Sequence, residues 1–433
     1  MKRPTLRYGV ATSAFQVEGA PEADGRGPST WDEFCARPGA IRDGSDARTA
    51  CDSYHRFDED LLQLVDLGVD AYRFSIAWPR VQPTGQGLVN TRGLDYYDGV
   101  VDGLLLEGIE PFPTLFHWDL PLPLEEAGGW SARDTALRFV DYAVAVVDRL
   151  GDRVSTWATL NEPWCTALLG WASGVFPPGR REPARAWDCA HHLLLGHALG
   201  AAAVRAARPG SEVGLVVNLT TVRREQDGDP CAVDVVDAWQ NRLWLDALGK
   251  GCYPEVLGEP AALRDGDLAT IRGSVDWLGI NYYTPFRIGA PSEEPAGVGQ
   301  DVDAYPGAPP FSFRPRGPLT TMGWEVDPQG LVDTLQETAA RLPGVPLRVT
   351  ENGGAFDDDA DRVGYLSSHL AALEACDVTV LDYFAWSLLD NFEWAEGWTQ
   401  RFGLVAVDRT TLQRRPKPSF AWYAEHIAAQ RGP

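Results

Sequence analysis

The sequence predicts an α/β fold, a closed (β/α)8 TIM barrel with long loops at the C-terminal face of its strands. Three observations lead there: eight short segments read as buried strands, helical patterns separate most of them, and the long insertions follow strand ends. Strands covered on both faces lose the clean period of two shown by half-exposed ones, as in a parallel sheet wrapped by helices. About eight strand–helix repeats favour closure into a barrel. An open doubly wound sheet fits the same pattern and is the alternative.

The strand segments are Tyr8–Thr12, Val69–Ile76, Glu110–Phe116, Val154–Leu160, Val213–Asn218, Val275–Ile280, Pro346–Thr350 and Thr379–Trp386, all enriched in branched and aromatic residues. Asp58–Leu67 carries apolar Leu61, Leu62, Leu64 and Val65 and stops at Gly68, a helix with a glycine C-cap. Leu94–Glu107 closes at Gly108 and Ala132–Leu150 at Gly151, while the Ala/Leu-rich Trp187–Ala207 runs up to Pro209-Gly210. The insertions are Gly19–Ala50, Pro163–Ala186, the Pro/Gly-rich Ile288–Thr321, and Asn391–Phe402. In a barrel they crowd one rim, and long loops inside a compact domain are more often functional than decorative. No repeat or low-complexity linker interrupts the pattern, so residues 1–433 read as a single domain.

Composition narrows the function classes. A net charge of −23 excludes the basic surface that nucleic-acid binding needs. The seven cysteines are scattered, odd in number and without Cys-x-x-Cys, which favours thiols in a reducing compartment over a disulfide framework. The start, Met1-Lys2-Arg3-Pro4-Thr5-Leu6-Arg7, has no apolar segment behind its basic residues, and no apolar run approaches the roughly 20 residues that span a bilayer. No membrane role is expected, and the location expected is cytoplasmic. His191, His192 and His197 lack the His-Glu-x-x-His spacing of a metal site and read as packing residues. Neither a phosphate-binding loop nor a dinucleotide fingerprint occurs, so neither cofactor nor metal is inferred.

Chemistry enters with two glutamates, each read as lying just past a buried strand. Glu162 stands in Thr159-Leu160-Asn161-Glu162-Pro163 and Glu351 in Val349-Thr350-Glu351-Asn352-Gly353. Two carboxyls that meet across a barrel mouth can flank one sugar carbon, one protonating the leaving oxygen while the other attacks or directs water. The bland alternative for either is a solvated loop carboxylate.

Around them the chain resembles the family 1 glycoside hydrolases, the β-glucosidase family. The likeness runs from Ala11-Thr12-Ser13-Ala14-Phe15-Gln16-Val17-Glu18-Gly19 to Arg401-Phe402-Gly403, with several motifs in the family's order. It implies a retaining exo-β-glycosidase acting on small, unphosphorylated β-glucosides, with a small-molecule glucoside or oligosaccharide as partner. The alternatives are an inactive sugar-binding relative and a β-galactosidase or β-fucosidase preference.

By the same resemblance Glu162 is the general acid/base and Glu351 the nucleophile. Arg73 is placed near the nucleophile, since an arginine inside a barrel strand needs a carboxylate partner. Tyr283, in Asn281-Tyr282-Tyr283-Thr284, resembles the tyrosine that bonds the nucleophile, and Asn281 of that run is counted with the catalytic group. Gln16, His117, Asn161 and Glu393 are implied for the sugar in the glycone subsite, Asn161 on its 2-hydroxyl. Of the 16 tryptophans, Trp118, Trp164, Trp324, Trp386 and Trp394 fall near strand ends or in rim loops, where a flat ring can face a pyranose. Trp386 is implied as the glycone platform and Trp164 and Trp324 as aglycone contacts, and Phe402 joins the substrate-binding set. Trp31, Trp78, Trp157, Trp239 and Trp277 read as core. Phe15 stands where the family commonly has tyrosine, and Phe176 where it commonly has histidine.

Overall fold

Eight parallel strands close on one another in the computed structural model, which describes residues 6–294 and 296–431. The basic stretch at residues 1–5, on which the reading of the N-terminus rested, lies outside them. The strands are β1 (Arg7–Ala11), β2 (Ala71–Ser75), β3 (Glu110–Phe116), β4 (Thr156–Asn161), β5 (Glu212–Asn218), β6 (Trp277–Tyr282), β7 (Leu347–Asn352) and β8 (Val380–Trp386). Each pairs in parallel with its sequence neighbours, and β1 pairs with β8 to complete the barrel. The helices read from the sequence form with small shifts: Ser53–Leu67, Thr91–Leu106, Arg133–Leu150 and Pro183–Ala207. Gly68 caps the first at φ 66°, a left-handed conformation that glycine adopts without a Cβ penalty.

Two strands run two residues further than the sequence implied. β6 continues to Tyr282, and β7 continues to Asn352, so Glu351 lies inside its strand and not just past it. The register shifts between Val349 and Glu351, which lets the β7 ladder go on to pair Glu351 with Asn281 and Asn352 with Tyr282.

Side chains fill the barrel interior. The rings of Phe112, Trp277 and Phe384 meet there, with centroids 5.1 Å apart in both contacts of Phe112. Small residues opposite make the room: a Cβ on Gly214 would lie 2.3 Å from the Trp277 ring. Trp31, Trp78, Trp157, Trp239 and Trp277 are all buried. At the N-terminal end of the strands, Arg7 bonds Asp382 and Glu110, and Arg348 bonds Asp382 and Glu212, tying five strands across the floor. The insertions gather at the opposite rim. The Ile288–Thr321 insertion joins the segments after β5 and β6 in a three-stranded sheet of Val222–Arg224, Phe286–Gly289 and Ser312–Phe313. Among the described residues no helix is long and apolar enough to cross a membrane. His191 is held by Tyr253 and Asp267, His192 by the Trp130 carbonyl, and His197 by Thr159.

Candidate active site

The C-terminal ends of the strands open into a cavity of about 710 Å³. Its wall includes His117, Trp118, Glu162, Trp164, Asn281, Tyr283, Trp324, Glu351, Trp386, Glu393, Trp394 and Phe402, twelve of the fifteen residues singled out from the sequence. Gln16, Arg73 and Asn161 stand one layer behind, fully buried and bonded to residues of the wall.

Glu351 projects from β7 and is held on both oxygens. Arg73 Nη1 donates to Oε1 at 2.5 Å, and the Tyr283 hydroxyl donates to Oε2 at 2.6 Å. Glu162 follows β4 at a left-handed kink, φ +43°, a conformation that costs a non-glycine residue about 1–3 kcal/mol and persists only where its surroundings impose it. Asn281 Nδ2 donates to Glu162 Oε1 at 2.6 Å, and the Cys165 thiol donates to Oε2 at 3.1 Å. Asn281 is also the ladder partner of Glu351 on β6, and its amide helps to stabilise the Glu351 carboxylate. Thr350 donates to Asn281 Oδ1 at 2.7 Å and fixes which way that amide faces.

Asn161 knits the second layer. Its Oδ1 accepts from Arg73 at 2.7 Å and from Asn281 at 3.1 Å, and its amide nitrogen meets His117 Nε2 at 3.0 Å. His117 Nδ1 has no protein partner among the described residues. Gln16 donates to the Phe392 carbonyl at 2.9 Å, to Asn391 at 3.1 Å and weakly to Glu393 at 3.4 Å. Trp394 stacks on Phe15 at 6.0 Å with 7° between the rings, and it lies 5.9 Å from His117. Phe176 packs against Trp31 at 5.1 Å and Trp118 at 5.4 Å, closing an apolar corner of the cavity. Trp324 is fixed by its indole N–H on the Val298 carbonyl at 2.7 Å.

Electrostatics separate the two glutamates. Burial, then the charge of Glu351, pushes the Glu162 carboxyl up to about 8. Burial also raises Glu351, but Arg73 and the Tyr283 hydroxyl oppose the rise. Arg73 donates directly to Glu351 and reaches Glu162 only through space, so the proton of the pair stays on Glu162. Glu393 is likewise pushed up to about 8, by burial first and then by the charge of Glu351. His117 is driven well below its ordinary value by burial and by Arg73, and stays neutral.

Six carboxyl side chains line the cavity: Glu162, Glu294, Asp301, Glu351, Glu393 and Glu396. Among the described lining residues there is no lysine or arginine; the cationic contacts of these carboxyls come from behind or beside the wall, Arg73 on Glu351, Arg42 on Glu396 and Arg314, 4.0 Å from Glu294. The sequence had not drawn attention to Cys165, Thr350, Asn218 or Gln240. Cys165 carried a usable signal, lying one turn after Glu162; the role of Thr350 depends on the extended β7 register.

A parallel barrel whose mouth holds two buried carboxyls, one protonated and one paired with arginine, is the architecture of a two-carboxylate glycoside hydrolase. The model of glycosyl hydrolase family 1 matches residues 4–432. The thermostable β-glucosidase B of Thermobispora bispora is 44% identical over 97% of this chain and 89% of its own length. The bifunctional β-D-glucosidase/β-D-fucosidase of Bifidobacterium breve is 43% identical over 97% of each chain. The crystal structure of the psychrophilic β-glucosidase from Micrococcus antarcticus superposes with a TM-score of 0.94 at 40% identity, covering 98% of this chain and 97% of that one. The chain belongs to glycosyl hydrolase family 1.

Proposed function

We propose that the protein is a retaining exo-β-glucosidase that removes terminal β-D-glucosyl residues from small, unphosphorylated β-glucosides by double displacement. The pairing of Glu162 with Glu351 in one cavity carries the reading. Glu351, oriented by Arg73 and Tyr283, attacks the anomeric carbon while Glu162 protonates the departing oxygen. Esterification removes the charge on Glu351 that helps keep Glu162 protonated, so Glu162 becomes a base and draws a proton from the incoming water. Double displacement calls for carboxyls about 5–5.5 Å apart, and the ladder pairing of Glu351 with Asn281, whose amide donates to Glu162, suits that closer spacing.

Asn161 serves the 2-hydroxyl through the amide hydrogen it does not give to His117, and His117 Nδ1 and Glu393 meet other hydroxyls of the glycone. Trp386 lies under the sugar, with Trp164, Trp324 and Phe402 on the aglycone side. Glu393, kept neutral by burial and by the charge of Glu351, donates to one sugar hydroxyl as well as accepting from another. Rejection of a 6-phosphate rests on a cavity lining that, among the described residues, holds no lysine or arginine to offset phosphate.

Acceptance of β-fucosides is a second activity of the same site, favoured by the likeness to the Bifidobacterium breve enzyme. A cytoplasmic location fits seven cysteines of which no two form a disulfide. A kinetic panel of nitrophenyl β-glucoside, β-fucoside, β-galactoside and 6-phospho-β-glucoside tests the substrate, and early-time NMR of released sugar tests the stereochemistry. The β-anomer and a much higher kcat/KM for the glucoside than for its 6-phosphate are expected. An α-anomer, or equal turnover of the 6-phosphate, overturns the reading.

A further inference from the structure

Glu162 is the one active-site carboxyl held by two uncharged donors, and one of them is a thiol. Cys165 begins the π-type helix Cys165–Ser173 that follows the kink after β4. Its sulfur sits 3.1 Å from Glu162 Oε2, opposite Asn281 on Oε1, and its backbone N–H donates to the Glu162 carbonyl at 2.9 Å. Cys165 therefore grips Glu162 through both side chain and main chain, where the left-handed φ most needs support. Behind it, Asn218 Nδ2 points at the sulfur from 3.8 Å. Both Cys165 and Asn218 line the cavity.

We propose that Cys165 is a positioning residue for the acid/base: its thiol, aligned by Asn218, orients the Glu162 carboxyl and stabilises the carboxylate left after proton transfer. The inference rests on Glu162 acting as acid/base. The bland alternative is a small apolar residue filling space, which would not need its sulfur on the carboxyl. A cation at this position would hold Glu162 ionised and cost the enzyme its acid; a neutral donor aligns the group and leaves its proton mobile. The thiol remains a donor, because burial and then the charge of Glu162 keep it well above its ordinary value. The other ionisable groups facing Glu162 and Cys165 are Glu351, Glu393, Arg73, Tyr283 and Tyr305.

The test compares Cys165→Val and Cys165→Ala, which remove the donor with and without added bulk, with Cys165→Ser, which keeps one. The kcat/KM of phenyl β-glucoside is followed against pH. Loss of the donor is expected to move the alkaline limb upward by about half a unit, roughly a threefold change in dissociation of the acid, and serine to return it toward wild type. Infrared titration of the Glu162 carboxyl, assigned by its absence in Glu162→Gln, should move by the same amount independently of turnover. If Val fails to fold, Ala decides. A limb and a titration that overlay wild type in Ala, with rate lowered equally at every pH, make Cys165 a packing residue and overturn the proposal. Wild-type turnover in Glu162→Gln would sink the acid/base reading, while the infrared titration still decides whether the thiol acts on Glu162.

Discussion

Glu162 and Glu351 must behave differently, and the neighbours of each glutamate decide how. Glu351 has a guanidinium and a phenol; Glu162 has an amide and a thiol. Glu351→Ala is therefore expected to abolish turnover, with azide restoring an inverted, α-linked product through the space vacated. Glu162→Ala should slow phenyl β-glucoside by about 100-fold or more, yet leave the first step with dinitrophenyl β-glucoside nearly intact, because dinitrophenolate departs unprotonated. Azide then gives a β-linked product, and product NMR distinguishes the two outcomes. Both glutamates were legible in the sequence because each sits in a contiguous motif. The Cys165 contact was legible only as a spacing of one turn after Glu162; the backbone kink that brings the thiol onto the carboxyl is encoded by no residue pattern.

Among the elements, the loop after β8 carries Glu393, Trp394 and Phe402, and its base is closed from the far end of the chain. Lys417 donates to Asp390 at 2.7 Å and to the Gly403 carbonyl at 2.8 Å, and Asp390 also accepts from the Gly403 N–H at 2.9 Å. Removing one member of a largely buried ion pair strands the other. Lys417→Met is expected to cost about 2–4 kcal/mol in urea unfolding and to raise KM for the glucoside more than it lowers kcat. The barrel strands could be read in advance because burial on both faces leaves long branched and aromatic runs. The three-stranded sheet in the insertions could not. Its strands are two to four residues long, and side-chain pairs such as Arg287 with Glu325 help hold it in place.

For the whole molecule, the catalytic mouth is a source of instability with a definite pH sign. Glu162 and Glu393 are each raised to about 8 when folded, against ordinary values near 4.5. Between those values the native state binds more protons than the unfolded chain, so their contribution to stability is full below about 4.5 and lost as pH rises through 8. Glu393→Gln keeps the shape and removes the titration. It should raise Tm at pH 8.5 by an amount corresponding to roughly 1–3 kcal/mol, with little gain at pH 4.5, while activity falls. Calorimetry at the two pH values checks it. The six carboxyls, with no lysine or arginine among the described lining residues, have a practical side as well. Toward small solutes the mouth behaves as a weak cation exchanger, drawing in protonated amines and giving neutral sugars no such pull. Amine buffers should therefore act as competitors, with inhibition constants that rise with added salt while KM for a neutral glucoside stays nearly flat. Rates measured in phosphate and in an amine buffer at equal pH and ionic strength should differ for that reason alone.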